Sequence, residues 1–184
     1  MKRYGDFFTK IVDMKNLHEA YCKASKGKHW QRNVRTYDAD PIPWLMKLKE
    51  SLEQGTFHTA SYTTKQIYEP KERTIYILPF YPDRIVHHAV MNVLEPVFDK
   101  LMIYDSYSCR KGKGQHAGSR RCMEMVRHNR YCLKCDISKF YPSVNHEVLK
   151  KILRHKLKDK RLLALLDDVI DSTHTDTNVP IGNY

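Results

Sequence analysis

The chain has 184 residues, 41% hydrophobic and 29% charged, with 32 Lys and Arg against 21 Asp and Glu, a formal net charge of +11. This is globular composition at a length for one domain or one domain with a small appendage, and no apolar run approaches the ~20 residues of a membrane span. With no apolar signal core after Met1-Lys2-Arg3, the expectation is a cytoplasmic protein without a membrane partner; a pI near 9.4 points to a polyanion, most often nucleic acid.

In chain order, Phe7 to Ala24 carries Phe8, Ile11, Val12, Leu17 and Tyr21 at helical spacing, and Ser25 to Arg35 reads as a basic, glycine-containing loop. Residues 1–40 therefore read as an N-terminal helical and basic extension. Pro43 to Glu53 returns to helical spacing with Trp44, Leu45, Leu48 and Leu52, and Gly55 is the expected stop. Tyr62 to Tyr68 and Thr74 to Leu78, rich in Thr, Tyr and Ile, predict a hairpin whose tip carries Lys71 and Arg73.

Pro82 suits the first turn of a long helix, with Asp83 near its positive end. Ile85, Val86, Ala89, Val90, Val93 and Leu94 form its apolar stripe, and Pro96 kinks or restarts it. Adjacent His87 and His88 cannot face one metal from a helix and read as surface or packed residues. Residues 105–118 form a glycine-containing basic loop before a short helix ending near Arg127. From Lys100 to Lys134 nine basic residues face only Asp105 and Glu124, leaving +7.

Tyr131 to Ile137 reads as a strand, Val144 to Leu157 as a helix with Val148, Leu149, Ile152, Leu153 and Leu157 inward, and Asp159 to Asp171 as another helix. Strands alternating with helices give an α/β (α+β) class. The five cysteines are odd in number in a chain read as intracellular, so disulfides are not expected. Cys132-Leu-Lys-Cys135 has zinc-knuckle spacing, with Cys109, Cys122, His116 or His128 as further ligands. Burial of these cysteines in a core strand is the competing and favoured reading.

Asp136, at the carboxyl end of the predicted strand, is the best single candidate for chemistry. A carboxylate there, followed by a backbone that turns away, is a way to hold Mg2+ with one carboxylate and one carbonyl. Capping of the next turn is the alternative.

Asp136-Ile-Ser-Lys-Phe-Tyr-Pro-Ser-Val144 resembles the first catalytic motif of bacterial reverse transcriptases. Asp83-Arg-Ile-Val-His-His-Ala-Val90 with Leu94-Glu-Pro-Val-Phe98 is similar to the block ahead of that motif in group II intron and retron enzymes. Ser106 to Ala117 is similar to their Ser-Tyr-Gly-x-Arg-x-Gly-x-Gly segment, and Val179-Pro-Ile-Gly-Asn183 to the start of the next motif. The resemblance covers about residues 43–184.

The resemblance implies the fingers (residues 41–130) and partial palm (131–184) of a right-hand RNA-directed DNA polymerase. Such an enzyme uses two Mg2+ ions, an RNA template, a DNA or RNA primer and deoxynucleoside triphosphates. It makes Asp136 the catalytic and metal-binding carboxylate and the Ile137 carbonyl a metal ligand. Nucleotide binding falls to Lys71, Arg73, Tyr141, Pro180, Ile181 and Gly182, and nucleic-acid binding to Arg110, Lys111, Lys113, Arg120 and Arg121. Ile181 stands where most of the family has Gln, a form associated with diversity-generating retroelements. The Tyr-x-Asp-Asp turn the family needs does not occur, so a truncated, inactive fragment is expected; Asp167-Asp168 reads as an exposed helix face. The alternatives are a non-catalytic RNA- or DNA-binding module, a group II intron maturase and a phage-defence reverse transcriptase.

Overall fold

The computed structural model describes residues 3–180. The chain divides into two compact units, one formed by Met1–Val93 with Lys139–Tyr184 and the other by Leu94–Ser138. The described residues are mainly helical, with one two-stranded antiparallel sheet, an architecture compatible with the expected α+β class. No helix among them is long and apolar enough to cross a membrane.

In the first unit, α1 (Phe8–Ile11) and α2 (Met14–Ser25) replace the single expected helix. The break falls at Asp13, whose carboxylate accepts the Lys15 N–H and caps α2. Residues 25–35 are only partly a loop, because α3 (Arg32–Asp38) begins inside them and buries Val34. Helix α4 (Ile42–Gln54) buries Leu45, Leu48 and Leu52 and packs against α2, which buries Leu17, Ala20 and Tyr21. Gly55 ends it at φ 69, a left-handed value that glycine adopts without strain.

The hairpin forms as predicted, from β1 (Thr63–Ile67) and β2 (Arg73–Ile77), with Thr64 opposite Tyr76. A wide, kinked turn over Phe80–Arg84 precedes α5 (Ile85–Asp99), so Pro82 lies ahead of the regular helix rather than in its first turn. Ile85, Val86, Ala89 and Val90 enter the core, and α5 continues past Pro96. Burial of each Val or Ile side chain among them stabilises by ~1.5–3 kcal/mol.

The second unit contains the end of α5, the loop after it and α6 (Gln115–His128). Its last stretch corrects two expectations. Tyr131 to Ile137 forms no strand, and every residue in it is exposed. A strand needs partners for its N–H and C=O groups, and among the described residues β1 and β2 pair only with each other. The cysteines are therefore not core residues: Cys22, Cys109, Cys122, Cys132 and Cys135 are all free and exposed.

The chain then returns to the first unit. After a short turn, α7 (Phe140–Ser143), come α8 (His146–Lys156), capped by Asn145, and α9 (Lys160–Asp171), capped by Asp159. The α8 face differs from the expected one: Val148 and Ile152 are exposed. Lys150 bonds Asp171 and Arg154 bonds Asp167 on α9, so this side of α8 faces α9, with Leu149 and Leu153 half-buried. Asp167-Asp168 is likewise not a free exposed face. Asp167 takes both guanidinium nitrogens of Arg154, while Asp168 accepts from His58 Nδ1 (2.9 Å), Thr59 N (2.8 Å) and Thr59 Oγ1 (2.7 Å).

Candidate nucleic-acid interface

The basic loop of the second unit is organised by one of its own cations. Arg110, its side chain only 12% exposed, donates from Nε to Asp99 Oδ1 (2.7 Å), from Nη1 to the carbonyls of Ile103 (3.0 Å) and Ser106 (3.1 Å), and from Nη2 to the Asp99 carbonyl (3.3 Å). The bond from Arg110 Nε holds the Asp99 carboxyl below its ordinary range. A planar guanidinium fork suits this position, because several N–H groups reach several acceptors at once. Arg110 thus closes the loop rather than facing outward.

Gly112 (φ 73) and Gly114 (φ 97) turn the chain into α6 through backbone that side chains resist. Gly118 lies against Tyr107, where a Cβ would meet ring-side carbons at 3.2–3.3 Å. Lys113 Nζ bonds the Tyr104 carbonyl and sits 4.1 Å from the Tyr104 ring centroid and 4.9 Å from that of Tyr107. Arg121 pairs with Asp105 (3.1 Å) and Glu124 (3.4 Å), and Tyr107 Oη donates to the same Asp105 carboxylate (2.9 Å). The Tyr107 bond first, then Arg121, lowers the Asp105 pKa.

Lys111 and Arg120 complete the predicted set, and both face solvent. The Lys111 side chain is 87% exposed and only loosely paired with Glu95 at 3.7 Å. Lys100, Arg127, Arg130 and Lys134 are also exposed. Helix α6 buries none of its residues, and Arg120, Arg127, Met123, Met125 and Val126 lie open.

Asp136 and Ile137 lie in the exposed segment of this unit, Ile137 at 68% exposure. Among the described residues no three His, Cys, Asp or Glu side chains gather as a metal site, which includes the Cys132–Cys135 pair.

In the first unit the structure brings together two of the nucleotide-binding candidates. Tyr141 lies in the turn after Lys139 (φ 49), with its ring edge-on to Phe140 at 5.5 Å. The Tyr141 carbonyl accepts from Val179 N (3.0 Å), which places the buried Pro180 one residue from this turn. Val144 and Asn178, Asn145 and Thr177, and His146 and Asp176 continue the pairing of the two segments. Ile181 and Gly182 lie outside the described residues. Lys71 and Arg73 sit at the exposed hairpin tip and at the start of β2, without an ion pair among the described residues.

Residues that sequence reasoning left out of the site hold this region. Asn178 Nδ2 donates to Tyr76 Oη (3.2 Å), and Tyr62 Oη meets Ser172 Oγ (2.8 Å), so both tyrosines tie the hairpin to the 172–178 segment. Asp83 is fully buried, with Oδ1 accepting from Ala60 N (2.9 Å) and Oδ2 unpartnered among the described residues. Burial pushes its carboxyl pKa up. Nothing in the sequence around Asn178 or Tyr76 marks their contact, which joins positions 102 residues apart.

No protein-family model matches the chain. Nuclear intron maturase 4, mitochondrial, of Arabidopsis thaliana is 26% identical over 171 residues, 92% of this chain and 21% of that protein. Protein YkfC of Escherichia coli K12 is 27% identical over 146 residues, 73% of this chain and 37% of that protein. Nuclear intron maturase 1, mitochondrial, of Arabidopsis is 27% identical over 153 residues, 83% of this chain and 20% of that protein. The chain spans about a fifth of the length of the plant maturases it matches. These similarities relate it to proteins of the intron-maturase type.

Proposed function

We propose that this chain is the fingers (41–130) and first palm portion (131–184) of a reverse-transcriptase-type protein related to intron maturases. In this reading it binds RNA along the cation-rich surface of its Leu94–Ser138 unit. The observation that carries the reading is the outward placement of Lys111, Arg120 and Arg127 on a unit whose helix buries none of its own residues. Exposed cations contribute most of the sequence-independent affinity for phosphates, and exposed Tyr104 and Tyr131 offer rings for base stacking. Binding of a fluorescent single-stranded RNA to the chain and to its Lys111→Glu/Arg120→Glu/Arg127→Glu variant tests this. At least ten-fold weaker binding by the variant is expected, and equal binding by both would remove the reading.

The finer reading concerns the parent protein: template-directed addition of deoxynucleoside triphosphates to a primer on RNA. Asp136 and the Ile137 carbonyl would serve as Mg2+ ligands, and Lys71, Arg73, Tyr141, Pro180, Ile181 and Gly182 would form the nucleotide site. In the enzymes this chain resembles, the aspartates of a Tyr-x-Asp-Asp turn complete the two-metal site, and these 184 residues contain no such sequence. The chain alone is therefore expected to be inactive in primer extension, and incorporation by the purified chain would overturn that expectation. Ile181 is the residue-level argument for a diversity-generating subtype, whereas the resemblance to intron maturases supports the maturase alternative, which we favour. The proposed setting is the cytoplasm.

A further inference from the structure

The hairpin has little to hold its direction. Thr63, Thr64, Lys65 and Gln66 of β1 are all exposed, so packing covers almost none of that strand. A two-stranded hairpin is marginal without other support. Here two tyrosine hydroxyls provide it. Ser172 Oγ donates its proton to the Val169 carbonyl (2.6 Å), so Tyr62 Oη is the donor in its bond to Ser172. Tyr62 and Tyr76 meet edge to face at 5.7 Å and 89°.

Asn178 is the partner of Tyr76 and stands at φ 87, where glycine would be unstrained. Its backbone N–H donates to the Val144 carbonyl (3.2 Å), and its own carbonyl accepts from His146 Nε2 (3.2 Å) and Thr173 Oγ1 (3.5 Å). Any residue would keep those three bonds. Only the bond to Tyr76 needs the side-chain amide, which gives a reason for asparagine in place of glycine.

We infer that Asn178 and Tyr76 are positioning residues whose side-chain hydrogen bond locks the hairpin to the segment that carries Pro180. The lock fixes the span between the tip cations Lys71 and Arg73 and the Tyr141–Pro180 wall. Its functional meaning, a fixed span for a bound nucleoside triphosphate, rests on the nucleotide-site reading above; the lock itself does not.

The experiment is amide hydrogen exchange of residues 63–77 in the full chain, without ligand. Tyr76→Phe and Asn178→Gly each remove one neutral hydrogen bond and are expected to speed exchange about five-fold, with unchanged cooperative unfolding. The double variant should exchange no faster than either single one, because both changes break the same bond. Asn178→Asp restores slow exchange, since its carboxylate accepts from the Tyr76 hydroxyl and Asp tolerates positive φ. Unchanged exchange in both single variants, or additive effects in the double, would overturn the lock. Binding of Mg2+–dTTP to the same proteins is the second arm. Weakening in Asn178→Gly with recovery in Asn178→Asp supports the positioning role, and wild-type affinity in all variants overturns it. No binding by the wild-type chain contradicts the nucleotide-site reading alone, and the exchange data then decide the lock.

Discussion

His87→Leu should stabilise the protein, and more so in acid. The His87 ring is buried on α5 with Nδ1 and Nε2 both unpartnered among the described residues. Burial first, then the positive charges of Arg84 and His88, pulls its pKa down to about 4. In the unfolded chain the ring titrates near its ordinary value of about 6.5. As pH falls, the unfolded state therefore takes up the proton first. The neutral ring is tolerated fully above about pH 6.5, and stability is lost progressively down to about pH 4. With those two values the loss between about pH 7 and pH 5 is ~2 kcal/mol. Two buried, unsatisfied nitrogens add a cost of roughly 1–3 kcal/mol at every pH. Leucine, apolar and of similar volume, removes both terms, so the variant should gain ~1–2 kcal/mol near neutrality and ~3 kcal/mol near pH 5. His88, also pulled down to about 4 by burial and by Arg84, Lys28 and Lys23, adds to the acid loss in both proteins and cancels in the comparison. Urea unfolding followed by tryptophan fluorescence at several pH values measures the difference. Parallel pH profiles for wild type and variant would refute the reasoning.

Asp159→Ala should cost ~2 kcal/mol in urea unfolding, because one carboxylate accepts from Phe7 N, Phe8 N and Leu162 N and so serves the starts of both α1 and α9. Burial pushes the Asp159 pKa up, but the N–H groups of Phe8, Leu162, Phe7 and Arg161 outweigh it, so this contribution is present at neutral pH and fades as pH falls through the lowered value. Arg110→Ala should speed amide exchange across residues 99–110, whereas Lys111→Ala should weaken RNA binding and leave exchange alone; identical effects of the two would contradict their assigned roles. Gly118→Ala forces the Tyr107 ring aside at a 3.2 Å contact and should loosen the Tyr107–Asp105–Arg121 group, seen as a shifted Tyr107 resonance; an unmoved resonance would count against that packing.

Local signals are legible in proportion to how local their causes are. The hairpin, the stop at Gly55 and the α9 start at Asp159 follow from turn chemistry and capping within a few residues. The α8 face departs from its sequence pattern because which side is covered depends on a neighbouring helix, against which Lys150 and Arg154 pair with Asp171 and Asp167. Tyr131 to Ile137 has strand composition, but pairing partners make a strand, and none is present among the described residues. The cations are visible as a cluster, yet composition does not tell Arg110, engaged with Asp99 and two carbonyls, from the outward Lys111. The Tyr76–Asn178 bond, between distant segments, leaves no mark in the sequence at all.

The salt dependence of RNA binding tests the central claim most directly. Lys100, Lys111, Arg120, Arg127 and Lys134 are exposed cations of the second unit without a close ion pair among the described residues. If most of them meet phosphates, the logarithm of the association constant should fall against the logarithm of salt concentration with a slope of about −3 for single-stranded RNA. The Lys111→Glu/Arg120→Glu/Arg127→Glu variant should flatten that slope to about −1. A slope near zero for the wild-type chain, or one unchanged by the triple substitution, would contradict the assignment of this surface to RNA.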